Sequence, residues 1–259
     1  MTRSFLVLTF AVALVACDSS SANFEDQAPP ALPAAAFQLN ADAFPDEARA
    51  GADASAARLA AGENYLNAAA RVGIVSTVVG LNLALPAEAT RRVTRDAPTV
   101  EDGVWTWTRT TDVLGTLVDL ELTARADGSE IDWRLTSAVD GEDPFTYYTA
   151  TTDLEGETGS WRLFNPDADG PVLEAAFDVR DLDDREVTFR VPQDRDRGGS
   201  EVLYRTDDGE QTFDFLNQPE GDRALIVWDL DTDEGSITAD AYNGGERACW
   251  NSALEDVDC

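Results

Sequence analysis

Histidine and lysine are both absent from this chain. Without histidine there is no Ser-His-Asp or Cys-His arrangement and no imidazole metal ligand. Paired carboxylates could still serve glycoside hydrolysis. With 50 Asp and Glu side chains, however, spacing alone singles out no pair. The expectation is therefore a protein that is not an enzyme. Trp105, Trp107, Trp133, Trp161 and Trp228 are the other conspicuous group. On an inward face they are either core or the lining of an apolar pocket.

Two acidic clusters could hold a cation. Asn165, Asp167 and Asp169 stand at alternate positions before Gly170 and look like the first half of a calcium loop. The glutamate such a loop needs at its twelfth position is missing: Ala176 stands there, between flanks that read as strands. Asp229, Asp231 and Asp233 before Gly235 form a similar cluster. Closely set carboxylates repel unless a cation or solvent intervenes, so both are either solvated turns or weak calcium sites. No cofactor is expected.

The three cysteines divide by position. Arg3 precedes an apolar run from Phe5 to Ala16, the size of a secretory h-region and short of the ~20 residues a bilayer span needs. The run ends Leu14-Val15-Ala16-Cys17, which resembles the lipobox of bacterial lipoproteins. That resemblance implies a signal peptide over residues 1–16, cleavage before Cys17, and acylation of Cys17, which would anchor the chain to a lipid membrane. With Cys17 used in this way, Cys249 and Cys259 are left as a pair in a compartment that permits disulfides. Residues 17–36, rich in Ala, Pro and Ser, read as the lipidated cysteine and its tether. The expected location is the cell envelope, on either the periplasmic or the outer face.

Charge sets the environment. After cleavage, 18 arginines face 50 acids, a net charge of −32. Such an excess destabilises the compact state by self-repulsion, which molar salt screens by shortening the Debye length to ~3 Å. The acidic, lysine-free composition resembles proteins of salt-adapted bacteria; an ordinary acidic exported protein is the other reading. Nucleic acid is excluded as a partner for want of a basic patch. Candidate partners are an apolar ligand such as a lipid, or an envelope protein.

The remaining segment, 37–259, suits one domain, and 43% apolar residues are enough for a core. Ala54 to Leu85 reads as a helix, with Leu59, Leu66 and Ala70 on one face and Asp53 or Ser55 as cap. The charge-free stretch Val72–Ala87 predicts burial all round. Pro86 is expected to stop this helix, and Ala87–Arg95 to form a short second one, within a helical region 37–97. From Gly103 the period changes to two, as in Val104-Trp-Thr-Trp-Thr108 and Glu186-Val-Thr-Phe-Arg-Val191. Asp-Gly and Asn-Gly pairs punctuate it, and strand aromatics such as Trp133, Tyr147 and Trp161 recur fourteen apart. Short connections predict an antiparallel meander over 103–242, with ten or eleven strands and a disulfide-stapled C-terminus over 243–259. The fold class expected is α+β, mainly β: an N-terminal helix packed on a curved up-and-down sheet or open barrel. In layout alone this looks like periplasmic lipoprotein carriers and related lipoproteins, in which a curved sheet closes over helices.

Overall fold

The computed structural model describes residues 61–113, 115–181 and 183–259. The leader, Cys17, the tether, Asp53, Ser55 and Leu59 lie outside the described residues. The period-two segments form fourteen strands: β1 Thr99–Glu101, β2 Val104–Val113, β3 Thr116–Asp127, β4 Glu130–Val139, β5 Phe145–Asp153, β6 Thr158–Phe164 and β7 Pro171–Val179, then β8 Asp184–Arg190, β9 Glu201–Asp207, β10 Glu210–Asn217, β11 Asp222–Asp229, β12 Gly235–Ala239, β13 Ala248–Trp250 and β14 Asp256–Val257. They make one antiparallel sheet in strict chain order. Eleven of them, β2 to β12, occupy the span read as a meander. β1 and β14 are edges, so the sheet is open. The pairing goes on past residue 242 into the stapled terminus. Hairpins turn where the sequence places residues tolerant of positive φ, as at Asp208 (49°) and Gly209 (84°), the combination a two-residue type I′ turn requires.

Register explains the aromatic spacing. One row across the inner face runs Trp105, Ala124, Trp133, Ala150, Trp161, Ala175, Phe189, Val202. All eight are buried. Large and small side chains alternate, so the inner face can curve without its rings colliding. The aromatic members are 28 residues apart in sequence, two strands, with a small residue between. Tyr147 is not one of them: Tyr148, paired with Leu135 and in phase with Ala150, faces inward instead and is fully buried, and the register shift falls just beyond it, between Leu135 and Thr136. The five tryptophans are all buried core.

One helix, α1 (Glu63–Val93), packs against β2 and β3 near one margin of the sheet and β12, β13 and β14 at the other. Because both margins meet the same helix, the sheet curls around it. Three expectations about α1 need correction. Pro86 lies inside the helix rather than ending it, so there is no separate second helix over 87–95. Leu83 and Val93, both buried, hold the backbone on either side, and Thr90 Oγ1 bridges Pro86 O (2.7 Å) and Tyr148 Oη (2.9 Å). The buried face is Tyr65, Ala68, Val72, Val75, Val79 and Leu83, whereas Leu66 and Ala70 lie on the exposed side. Nor is the helix buried all round: Ile74 is 66% exposed and Val78 57%.

The start of α1 is capped from a distance. Gly62 precedes it and has no side chain to offer. Asp256 of β14 accepts the N–H groups of Glu63 (3.1 Å) and Asn64 (3.0 Å), while Gly62 N–H donates to Leu254 O (2.8 Å). A carboxylate satisfying orphan donors at a helix N-terminus is the capping function, and its charge suits the macrodipole there.

Candidate binding cleft

α1 leans on the two margins of the sheet and leaves space beneath its middle. Between the helix and β7–β10 lies an open cleft of about 700 Å³, within the ~300–1,000 Å³ typical of small-molecule sites. Its apolar wall combines Ile74, Val75, Val78 and Val79 of α1 with Val172, Leu173, Phe189, Val191, Val202 and Phe215. Leu173, Phe189, Val191, Val202 and Phe215 continue the alternating positions that build the core, while Val172 stands beside them out of phase.

The polar rim comes from Arg71 and Asn82 of α1, from Asn217 and Glu220, and from the β8–β9 connection, residues 191–200. That connection is held by its own backbone: Val191 and Ser200 pair at 2.9 Å, as do Gly199 N and Val191 O. Gly198 is required there, since a Cβ would lie 2.4 Å from Gln193 O. Rim charges are mostly committed. Arg71 pairs with Asp222 at 3.3 Å, Arg190 holds Glu201, and Asn217 Nδ2 donates to Glu220 at 2.6 Å. Arg195 Nε donates to Pro171 O (3.1 Å), and its Nη2 is buried without a hydrogen-bond partner among the described residues.

The far end of the inner face carries a buried cation. Arg185, 2% exposed, donates to Tyr204 Oη (2.8 Å) and Thr206 Oγ1 (3.5 Å) and stacks 4.9 Å from the Tyr204 ring centroid. Gln211, opposite Thr206 in the ladder, keeps a buried Oε1 without a partner. The alternation legible in 185–191 already places Arg185 in phase with Val187 and Phe189, so this inward arginine was detectable from the sequence.

The acidic turns are closed on themselves. Asn165 Oδ1 accepts Asp167 N–H at 2.9 Å, and Asp229 Oδ1 accepts the N–H groups of Asp231 (2.9 Å) and Thr232 (2.8 Å). Those backbone bonds hold the Asp229 carboxyl below the usual carboxylate range. Asp169 and Asp233 belong to the same two turns, and Asp233 adopts a φ of 61°. Among the described residues, no group of three or more His, Cys, Asp or Glu side chains is placed to hold a metal ion.

Cys249 and Cys259 lie at disulfide distance, Cα to Cα 5.3 Å. They close the β13–β14 hairpin, so the last strand is within the staple rather than before it. Trp250 is fixed there, edge-on to Tyr65 (5.9 Å) with Nε1 donating to Asp233 O (2.9 Å). Asp256, inside the closed segment, was missed by sequence reading. Nothing in its neighbourhood marks it as the cap of a helix 193 residues away.

Among the described residues, fold and site define the class: an open, curved, up-and-down antiparallel sheet around α1, with an apolar cleft between them. No family model matches the chain, and no curated protein or solved structure matches it either.

Proposed function

We propose that this chain is a membrane-anchored, non-catalytic envelope lipoprotein whose domain binds an apolar ligand such as a lipid in the cleft between α1 and β7–β10. The observation that carries the reading is the cleft: about 700 Å³, walled by aliphatic and phenyl side chains and rimmed by polar groups. Most of the binding free energy would come from apolar area leaving water, at about 25 cal/mol per Å². The rim would orient whatever polar end the ligand carries. The lipobox-like leader supports the anchoring half, through acylated Cys17.

Native mass spectrometry of the purified domain, followed by solvent extraction, tests the ligand half. A co-purifying apolar species, lost when Val202→Asp places a charge in the cleft wall, supports the reading. An empty wild-type protein that also fails to take up a fluorescent fatty acid ends it. For the anchor, Cys17→Ser should move the protein from the membrane to the soluble fraction. Unchanged fractionation and no acyl mass on the wild-type N-terminus would refute it.

A further inference from the structure

The outer side of α1 is unlike the rest of the surface. Leu66, Ala70, Ile74 and Val78 follow one another at four-residue steps, one helical stripe, and all are exposed. From Val72 to Ala87 the helix holds no charged residue, in a chain where 27% are charged. Ile74 and Val78 are also lips of the cleft, so stripe and cleft form one continuous apolar surface.

Charge distribution says what such a surface suits. Between Glu63 and Arg95 four arginines (Arg71, Arg91, Arg92, Arg95) face two glutamates (Glu63, Glu88), a local charge of +2 in a chain of −31. Glu88 is shared by Arg91 and Arg92, which leaves an excess of positive charge at that end. Arg92 follows Ile74 by eighteen residues, about five helical turns, and so projects from the same face. With Arg71 paired to Asp222, the free positive charge lies at the C-terminal end, and an uncharged apolar stripe leading into a basic end suits a helix lying in a membrane interface, apolar face down and cations at the headgroups.

We propose that this face of α1 is where the domain rests on an anionic lipid surface, with the mouth of the cleft turned toward the bilayer, so that an apolar ligand passes between them without crossing water. The inference rests on the reading of the cleft as an apolar-ligand site. Two electrostatic effects compete. The helix attracts anionic headgroups, and the strongly acidic sheet is repelled. At about 0.1 M salt the Debye length is ~10 Å, so charges on distant strands are screened while Arg92 at the contact is not. At about 0.01 M it is ~30 Å, and repulsion by the whole domain is felt. Binding should therefore strengthen with salt over this range, the reverse of a generally basic peripheral protein.

The test is flotation of the Cys17→Ser mature chain, which lacks acyl anchors, with vesicles of phosphatidylglycerol and phosphatidylcholine in equal parts. Binding should rise from low to intermediate salt. It should fall roughly tenfold in Ile74→Glu/Val78→Glu, and not in Leu225→Glu, an exposed apolar site on the sheet. Circular dichroism and melting temperature verify that the variants stay folded. Absence of vesicle binding at every salt concentration, equal loss in the Leu225 control, or a dimer that Ile74→Glu/Val78→Glu dissociates would overturn the proposal. Failure of the cleft reading is distinguishable: vesicle binding would persist while extraction and the fluorescent fatty acid find no ligand.

Discussion

The N-terminal end of α1 and its middle meet the same sheet on opposite terms. At the N-terminal end, Tyr65 packs on Trp250, Asn64 Nδ2 donates to Cys249 O (2.8 Å), Tyr242 Oη donates to Asn64 Oδ1 (2.6 Å), and Asp256 caps the helix, all beside the Cys249–Cys259 staple. In the middle, the residues facing β7–β10 border open space, and the outward ones are bare aliphatics. One flank is locked by specific polar contacts between distant parts of the chain. The other borders an open cleft. The contacts that fix the helix and the residues that border the cleft are separated along α1, so substitutions should divide the same way.

The sharpest break in that comparison is Tyr65→Ala. Removing the buried ring from its contact with Trp250 should cost about 3 kcal/mol, read as a loss in chemical denaturation, with apolar-probe binding per folded molecule unchanged. Replacing Cys249 and Cys259 with serine comes next. The closed loop is about ten residues, so the chain-entropy estimate is roughly 2.5–3 kcal/mol. Because Asp256 and the Cys249 carbonyl both hold α1, hydrogen exchange should accelerate in β13, β14 and the first turn of the helix together. Faster exchange in the hairpin alone would show the two to be uncoupled.

Asp256→Ala should cost about 1 kcal/mol, the usual value of a lost cap, with faster exchange confined to the first turn. On the other flank, Ile74→Ser/Val78→Ser should change stability by no more than about 0.5 kcal/mol, since both sites are exposed, yet should weaken uptake of an apolar probe. Equal losses of stability on the two flanks would erase the distinction. The smallest effect is local and depends on pH. Burial, then the nearby Asp256 and Glu63, raise the Tyr242 hydroxyl above its usual range. The stability it contributes is complete below the unfolded value of about 10 and is lost as pH rises through the raised folded value. The amide signal of Asn64 should report that loosening, and Tyr242→Phe should abolish it.

Much of the sheet was readable in advance because its causes are local. Alternation at period two assigns faces, and Asp-Gly pairs supply the φ that two-residue hairpins need. Short connections then leave antiparallel neighbours as the simplest pairing. The pocket that the sequence allowed was one lined by the five tryptophans, and none of them borders the cleft, whose wall is aliphatic and phenyl. The existence of the cleft depends on where the helix comes to rest, which no spacing within the strands records.

What the sequence by itself determined is the order of strands, the inward phase that even includes Arg185, the absence of imidazole chemistry and a surface dominated by carboxylates. Tertiary structure alone decided that α1 continues through Pro86, which local preference opposes by about 3 kcal/mol. Burial of Leu83 and Val93 on either side outweighs that preference. It also chose which stripe of α1 faces inward, leaving Leu66, Ile74 and Val78 outside. On a helix apolar on every side, the sequence leaves rotation about the axis nearly degenerate. Contacts with both sheet margins, and a cap supplied by Asp256 from the far end of the chain, break that degeneracy.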